Sequence, residues 1–452
     1  MKKLLEQAAS YSADYLNSLK ERRVGPSEED LKLLEKLDFP LRDEPTDPEK
    51  IIKLLNEVGS KATMGIAGGR FFGFVIGGSL PATVAASWLN IAWDQNAGLF
   101  LGSPIGTVLE EVSLKWLLDI LNLPKESAGA FVTGATMANF TSLSAARNYL
   151  LKKQGWDVES DGLFNAPPIN VIVGEEAHPT LFRALGLLGL GRKRVTTIPV
   201  DNQGRMLAEK LPKIKTPTIV YAQIGNVNTG AFDPVRKICG NVSNENVWVH
   251  VDGAFGLWAL ASPNLRHLAE GCELADSWAT DAHKWLNVPY DSGLAFIKNS
   301  ESLRSALSLT APYLPQGEHR EPSQFVPELS RKSRGVEIWT ALYSLGRKGL
   351  AEMIERTCRH AKRFAEGLSN AGYKILNEVV INQVLVSFGD VETTNKIISE
   401  IQKDGTCWCG GTVWQGQTAM RISISSWATT EEDVEKSLEA MIRIARQVAG
   451  TA

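Results

Sequence analysis

Apolar residues recur at helical spacing from Leu4 and Leu5 to Ile51, Ile52 and Leu55, amid dense charge, with breaks at Pro26 and between Pro40 and Pro48. The pattern predicts short helices over residues 1 to about 60, too charged to close a core of their own. Glycine and aromatics then take over in GIAGGRFFGFVIGGSLPAT, which reads as close-packed loop. Further on, INVIV (169–173), TIVYAQI (218–224), VWVHV (247–251) and GLAFI (293–297) are strand-length apolar runs separated by helix-sized segments. That alternation predicts an α/β fold whose largely parallel sheet is covered on both faces. From Arg331 the chain turns strongly helical, gives strand-like pieces in VVINQVLVSF and AMRISISS, and ends in EEDVEKSLEAMIRIARQVA. This order suggests a smaller α+β unit. No internal repeat or low-complexity tract interrupts it.

Composition narrows the class. The chain has 452 residues, 44% hydrophobic and 22% charged, as in ordinary globular proteins. A net charge of -3 gives no field that would draw nucleic acid or anionic lipid, so neither is expected as a partner. Cys239, Cys272, Cys358, Cys407 and Cys409 are odd in number and irregular in spacing, which argues for a reducing compartment rather than a disulfide framework. The CWC pair has no neighbour at finger-like spacing, so no metal site is expected. Glu6, Asp14 and Glu21 interrupt the basic start, unlike a signal peptide, and no run reaches membrane-spanning length. The expected location is the cytoplasm.

The chemistry begins with a lysine in the middle of the apolar run SWATDAHKWL. A buried ammonium is costly, so Lys284 either lies at the surface or works as a neutral amine. In VWVHVDGAFG, Asp252 follows a strand and projects from the carboxyl edge of the sheet, either as a helix cap or as a charge aimed at a ligand. FVTGATMANFTSL places small residues at a helix start, where backbone N–H groups and a threonine hydroxyl suit a phosphate. His178 in GEEAHPT also follows a strand. A lysine, an aspartate, a phosphate-suited turn and a histidine together suit pyridoxal phosphate (PLP), whose aldehyde needs an amine and whose ring nitrogen needs a carboxylate.

These residues resemble the group II PLP-dependent amino-acid decarboxylases of fold type I, over nearly the whole chain. The likeness is carried by RFFGFVIGGSLPAT, SPIGTVLEEVSLKWLLDILNLP, AHPTLFRALGLLGLG, GNVNTGAFDP, HVDGAFG, DAHKWL, LSRKSRGVEIWTALYSLG, NQVLVSF and MRISISSWATTEEDV. HVDxA with HKW about thirty residues later is the specific combination. The resemblance implies a seven-stranded, mostly parallel PLP-binding domain over 63–325. It also implies a helical dimerisation segment over 1–62, a small α+β domain over 326–452, and a homodimer with shared active sites. By the same resemblance Lys284 would bind the cofactor aldehyde, Asp252 would pair with the ring nitrogen, and Ala254 and His178 would cover the ring's two faces. Ala135, Thr136 and His283 would hold the phosphate. Asn226 stands where many relatives have threonine and Asp281 where many have asparagine.

Decarboxylation of an L-amino acid to the amine and carbon dioxide is the implied reaction. Many relatives carry a proton-donating tyrosine shortly before the segment matching LSRKSR, whereas QGEHREPSQFVPE contains none. Tyr313, His319 and His178 are the candidate donors, and the missing tyrosine opens an aldehyde-forming oxidative deamination as the rival outcome. Phe72, Phe74, Trp93 and Phe100 match pocket-lining regions and favour an aromatic substrate, unless these rings are simply core. Arg334 and Arg421 would instead suit an aspartate or glutamate decarboxylase.

Overall fold

The computed structural model describes residues 1–450 except 243 and 309–318. By internal contacts the chain forms two compact units, Ser79–Cys358 and the pairing of Met1–Gly78 with Arg359–Ala452.

The first unit is built on seven strands: β1 (Ala128–Val132), β2 (Asn170–Gly174), β3 (Val195–Ile198), β4 (Thr218–Gln223), β5 (Val247–Asp252), β6 (Ser277–Asp281) and β7 (Gly293–Ile297). Their spatial order is β1-β7-β6-β5-β4-β2-β3, and β7 alone runs against its neighbours. Every residue of β4, β5, β6, β7 and β1 is buried, which explains why β4, β5 and β7 read as continuous apolar runs rather than alternating ones. The outermost strand β3 exposes Thr196 and Thr197. That polar edge hides it from a search for apolar runs.

The register decides where side chains meet. Gln223, Asp252 and Ala279 lie side by side across β4, β5 and β6, so these parallel strands end at one edge. On the far side of β6, Asp281 pairs with Gly293 and Gly293 with Val132, bringing the end of β1 to the end of β6. The chain leaving β1 passes so close over β7 that a Cβ on Gly293 would stand 2.4 Å from the Gly134 Cα. Only glycine permits that approach. From Gly134 the helix Ala135–Lys152 runs back along the sheet, and Ala138, Ala145 and Ala146 keep it close to the strands.

In the second unit, strands β8 (Lys374–Ile375), β9 (Gln383–Ser387), β10 (Gly410–Trp414) and β11 (Gln417–Ser423) form an antiparallel sheet in the order β10-β11-β9-β8. The helices Val391–Asp404 and Glu431–Gly450 share its core. Residues 1–78 belong here through direct bonds. Val24 N–H donates to the Gly405 carbonyl at 2.9 Å, and the buried Arg70 guanidinium donates to the carbonyls of Lys20 and Thr406. The expected amino-terminal helices are present at Lys2–Ser18, Glu28–Lys32 and Pro48–Leu54. The helix expected after Arg331 runs Gly335–Asn370 with a break at Gly346, where the backbone turns to φ 57°. Among the described residues, no helix is long and apolar enough to cross a membrane.

Because neither Gly134 nor the strand beneath it has room to move, Gly293→Ala should lower the unfolding free energy by roughly 1–3 kcal/mol. Denaturant titration of the purified variant measures this. An unchanged midpoint would show that the strand relaxes freely.

Candidate active site

Asp252 ends β5 and is 2% exposed. Its Oδ1 accepts the Ala254 N–H at 2.9 Å, while Oδ2 accepts the Asn139 amide at 3.0 Å and the Tyr221 hydroxyl. Three donors on one carboxylate compensate for its removal from water. Behind them runs a buried chain of polar groups. The Asn139 Oδ1 meets His250 Nε2 at 2.8 Å, His250 Nδ1 meets the Ser277 hydroxyl at 2.8 Å, and Trp248 Nε1 donates to that hydroxyl at 2.8 Å. Asn139 gives its amide hydrogen to Asp252, so its oxygen must accept, which puts the proton of a neutral His250 on Nε2. Burial holds His250 down at about 4, against a usual 6.5, despite the opposing charge of Asp252. Burial, then the Asp252 charge, pushes the Tyr221 hydroxyl well above 10, keeping it a proton donor.

The second group sits just past β6. Asp281 Oδ1 accepts the Ala135 N–H at 2.5 Å and lies 3.5 Å from His283 Nε2; its Oδ2 is 3.0 Å from the Lys284 amine. Ser292 N–H donates to His283 Nδ1 at 3.1 Å, so the neutral ring carries its proton on Nε2, toward Asp281. Tyr290 stacks on His283 with centroids 4.3 Å apart. Burial lowers the His283 pKa, with Asp281 opposing. Trp285 is fully enclosed and donates Nε1 to Thr357 at 2.9 Å, pinning the chain beside Lys284, whose side chain keeps 20% exposure. The lysine is therefore partly open and ion-paired, between the two situations the sequence suggested.

His178 caps the helix Pro179–Leu187, its Nδ1 2.8 Å from the Thr180 hydroxyl, and its backbone N–H donates to Gln223 Oε1 at 3.1 Å. Thus the ends of β2 and β4 are tied together. Asn226 is committed to its own turn: Oδ1 accepts the N–H groups of Asn228 and Thr229, and Nδ2 donates to Glu176 at 2.9 Å. Nearby Asp233, which is buried, accepts the N–H groups of Met206 and Gln223 at 2.7 Å. Burial outweighs those bonds and raises its pKa to about 6.

The aromatic candidates separate. Phe72 is fully enclosed in the second unit's core, edge-on to Phe364, while Phe74 beside it is 62% exposed and leans on Trp408. Trp93 ends the helix Pro81–Trp93 in the first unit, half-exposed. Phe100 stacks on His319 at 3.7 Å, and its N–H donates to Glu321 at 2.7 Å. Tyr313 lies outside the described residues. Arg334 is occupied by Asp291, at 3.0 Å from both Nε and Nη2, and Arg421 lies on β11 in the second unit.

Sequence reading missed Tyr221, Asn139, His250 and Gln223. Two of them left a signal. His250 precedes Asp252 by two, hence shares its strand face, and a tyrosine inside the apolar run TIVYAQI needs a hydroxyl partner.

With this geometry in hand, comparison with known proteins decides the family. A model of the pyridoxal-dependent decarboxylase conserved domain matches residues 35–389. The chain belongs to this family. An aromatic-L-amino-acid decarboxylase of Bacillus atrophaeus is 27% identical over 98% of this chain and 94% of its own length. An aspartate 1-decarboxylase of Aliivibrio fischeri is 32% identical over 53% of this chain and 47% of its own. The solved structure of Oryza sativa TDC with PLP and tryptamine superposes with a TM-score of 0.91 at 22% identity, covering 99% of this chain and 97% of that one. The family is one of PLP-dependent amino-acid decarboxylases, and the residues fit the cofactor. A primary amine, a donor-saturated buried carboxylate and a helix start whose N-cap residue, Gly134, has no side chain of its own share one sheet edge, with Thr136 in the helix's first turn.

The two buried groups shifted in opposite senses predict a pH signature. His250, held near 4, contributes stability that is complete above pH 6.5 and lost as the pH falls toward 4. Asp233, raised to about 6, contributes stability that is complete below pH 3.8 and lost as the pH rises through 6. Each effect is on the order of 3 kcal/mol, so in the wild type they largely cancel across pH 4 to 6. Asp233→Asn should leave a decarboxylase that weakens steadily on acidification from pH 6.5, and His250→Gln one that strengthens. Urea midpoints across that range check both slopes.

Proposed function

We propose that this chain decarboxylates an aromatic L-amino acid to its amine, as a homodimer in the cytoplasm, with Lys284, Asp252, Asp281, His283, Ala135, Thr136, Ala254 and His178 forming the cofactor site. The observation that carries the aromatic assignment is the likeness to the Bacillus relative, 27% identical over 98% of this chain, where an acidic amino acid decarboxylase of Xenopus tropicalis is 27% identical over 83%.

The cofactor supplies the electron sink into which the bond pair flows as carbon dioxide departs. Asp252 would hold the pyridine end of the cofactor and favour a proton on its ring nitrogen. A carboxylate charge paired with such a group at an effective dielectric near 20 is worth on the order of 4 kcal/mol, about three pKa units. Asn139 and Tyr221 fix the carboxylate on one side, and Ala254 N–H fixes it on the other. Lys284 offers its amine once its ion pair with Asp281 opens. The helix start at Ala135 and Thr136, with His283, would hold the phosphate. For the final protonation of Cα, His178 is the proposed donor, its ring oriented by the contact of Nδ1 with the Thr180 hydroxyl at 2.8 Å.

A second reading, aldehyde formation, has one observation in its favour. The stretch before LSRKSR carries no tyrosine, and His319 within it is stacked on Phe100. A panel of common L-amino acids, read for carbon dioxide, amine, aldehyde and peroxide together, tests both. Amine without peroxide from tyrosine, tryptophan or phenylalanine supports the main reading; aldehyde with peroxide establishes the second; turnover of aspartate or glutamate alone refutes the aromatic assignment.

The dimer reading is supported by an apolar face on the first unit, where Trp88, Leu89, Ile91 and Trp93 are exposed along the helix Pro81–Trp93. Residues 1–62, with Leu5, Leu16, Leu31 and Leu34 exposed, are proposed as a dimerisation segment. Ile91→Asp should convert a dimer to a monomer in sedimentation velocity; an unchanged dimer removes that face from the interface. Asp252→Ala should reduce kcat by about 10²- to 10³-fold while the thermal midpoint moves little. Equal loss of both would assign it a structural role.

A further inference from the structure

The phosphate end of the site contains a negative charge of its own. Asp281 is 3% exposed, and its Oδ1 receives the N–H of Ala135, the first residue of the helix that should hold the cofactor phosphate. The fit is tight. A Cβ on Gly134 would lie 3.3 Å from that oxygen and 3.2 Å from His283 Cε1. The other carboxylate oxygen reaches the Lys284 amine, so one aspartate engages the helix start and the lysine together.

We propose that Asp281 lowers the affinity of this chain for the cofactor phosphate, competing for the first N–H of the helix and opposing the incoming anion by charge. The two acceptors want the same donors. An N–H directed at a carboxylate 2.5 Å away is little use to a second oxyanion, and the Asp281 charge offsets part of the helix dipole that would attract it. Lys284 masks that charge while it remains an ammonium at 3.0 Å. Asp281 is thus an affinity-setting residue, and PLP should exchange more readily than it would with a neutral amide there. The inference rests on the cofactor assignment, which stands or falls separately with wild-type uptake of PLP.

Asp281→Asn keeps the shape and an oxygen able to accept the Ala135 N–H, and removes the charge. With protein stripped of cofactor and re-titrated, the variant should bind PLP at least tenfold more tightly than the wild type by equilibrium dialysis. Pyridoxal, which lacks the phosphate, should gain no more than about twofold. Inorganic phosphate gives an independent readout, its dissociation constant measured directly by calorimetry on cofactor-stripped protein. It should bind more tightly in Asp281→Asn and more weakly in Lys284→Met, where the aspartate is left unmasked. Thermal melts of each variant establish that it is folded; should Asp281→Asn fail to fold, the direction of the Lys284→Met shift decides. PLP affinity unchanged or weaker in Asp281→Asn, equal gains for PLP and pyridoxal, or a phosphate shift of opposite sign in Lys284→Met would overturn the proposal.

Discussion

A carboxylate enclosed at the end of a central strand is tolerable only when donors saturate both its oxygens, and Asp252 imposes that requirement on everything around it. Its three donors come from the strand beside it, the helix above it and the turn that follows it. Each reaches Asp252 only because β4 and β5 run parallel in a register that sets Tyr221 opposite His250 and Gln223 opposite Asp252. The helix Ala135–Lys152 must lie at the right depth for Asn139, and its small residues allow that. Fold and chemistry therefore share one constraint. The tightness that makes the strands uniformly apolar also keeps water from the charge.

The parts of this arrangement visible in the sequence were those written locally. Continuous apolar runs marked β2, β4, β5 and β7, and the strand-end position of Asp252 followed from them. The donors that hold Asp252 were not visible, because Asn139 precedes it by more than a hundred residues and only tertiary packing joins the two. Asn226 was legible only as a departure, standing where many relatives have threonine. Its bonds to the backbone that follows, made by a short polar side chain beside a turn, were not. Phe72 and Phe74 are two residues apart and were grouped as one wall. The backbone at Phe74 has φ 56°, so the chain turns between them, and one ring is enclosed while the other stays open.

The site also shows how little a fold of this class prescribes about charge. Two strand ends, β5 and β6, each carry an aspartate, but in different settings. Asp252 is surrounded by neutral donors, which suits a fixed counter-charge. Asp281 faces a histidine and a lysine whose charge depends on chemistry, which suits an exchangeable one.

The second unit draws its core from both ends of the chain, with the whole of Ser79–Cys358 between them. During synthesis, Phe72 and its neighbours leave the ribosome long before Phe364, Met420 and Leu438, the side chains that will enclose them, have been translated. The sheet of the first unit is contiguous and can close in the interval. Nascent chains should thus pass through a stage in which a finished sheet domain trails an unprotected apolar segment, a natural client for a chaperone that binds such segments.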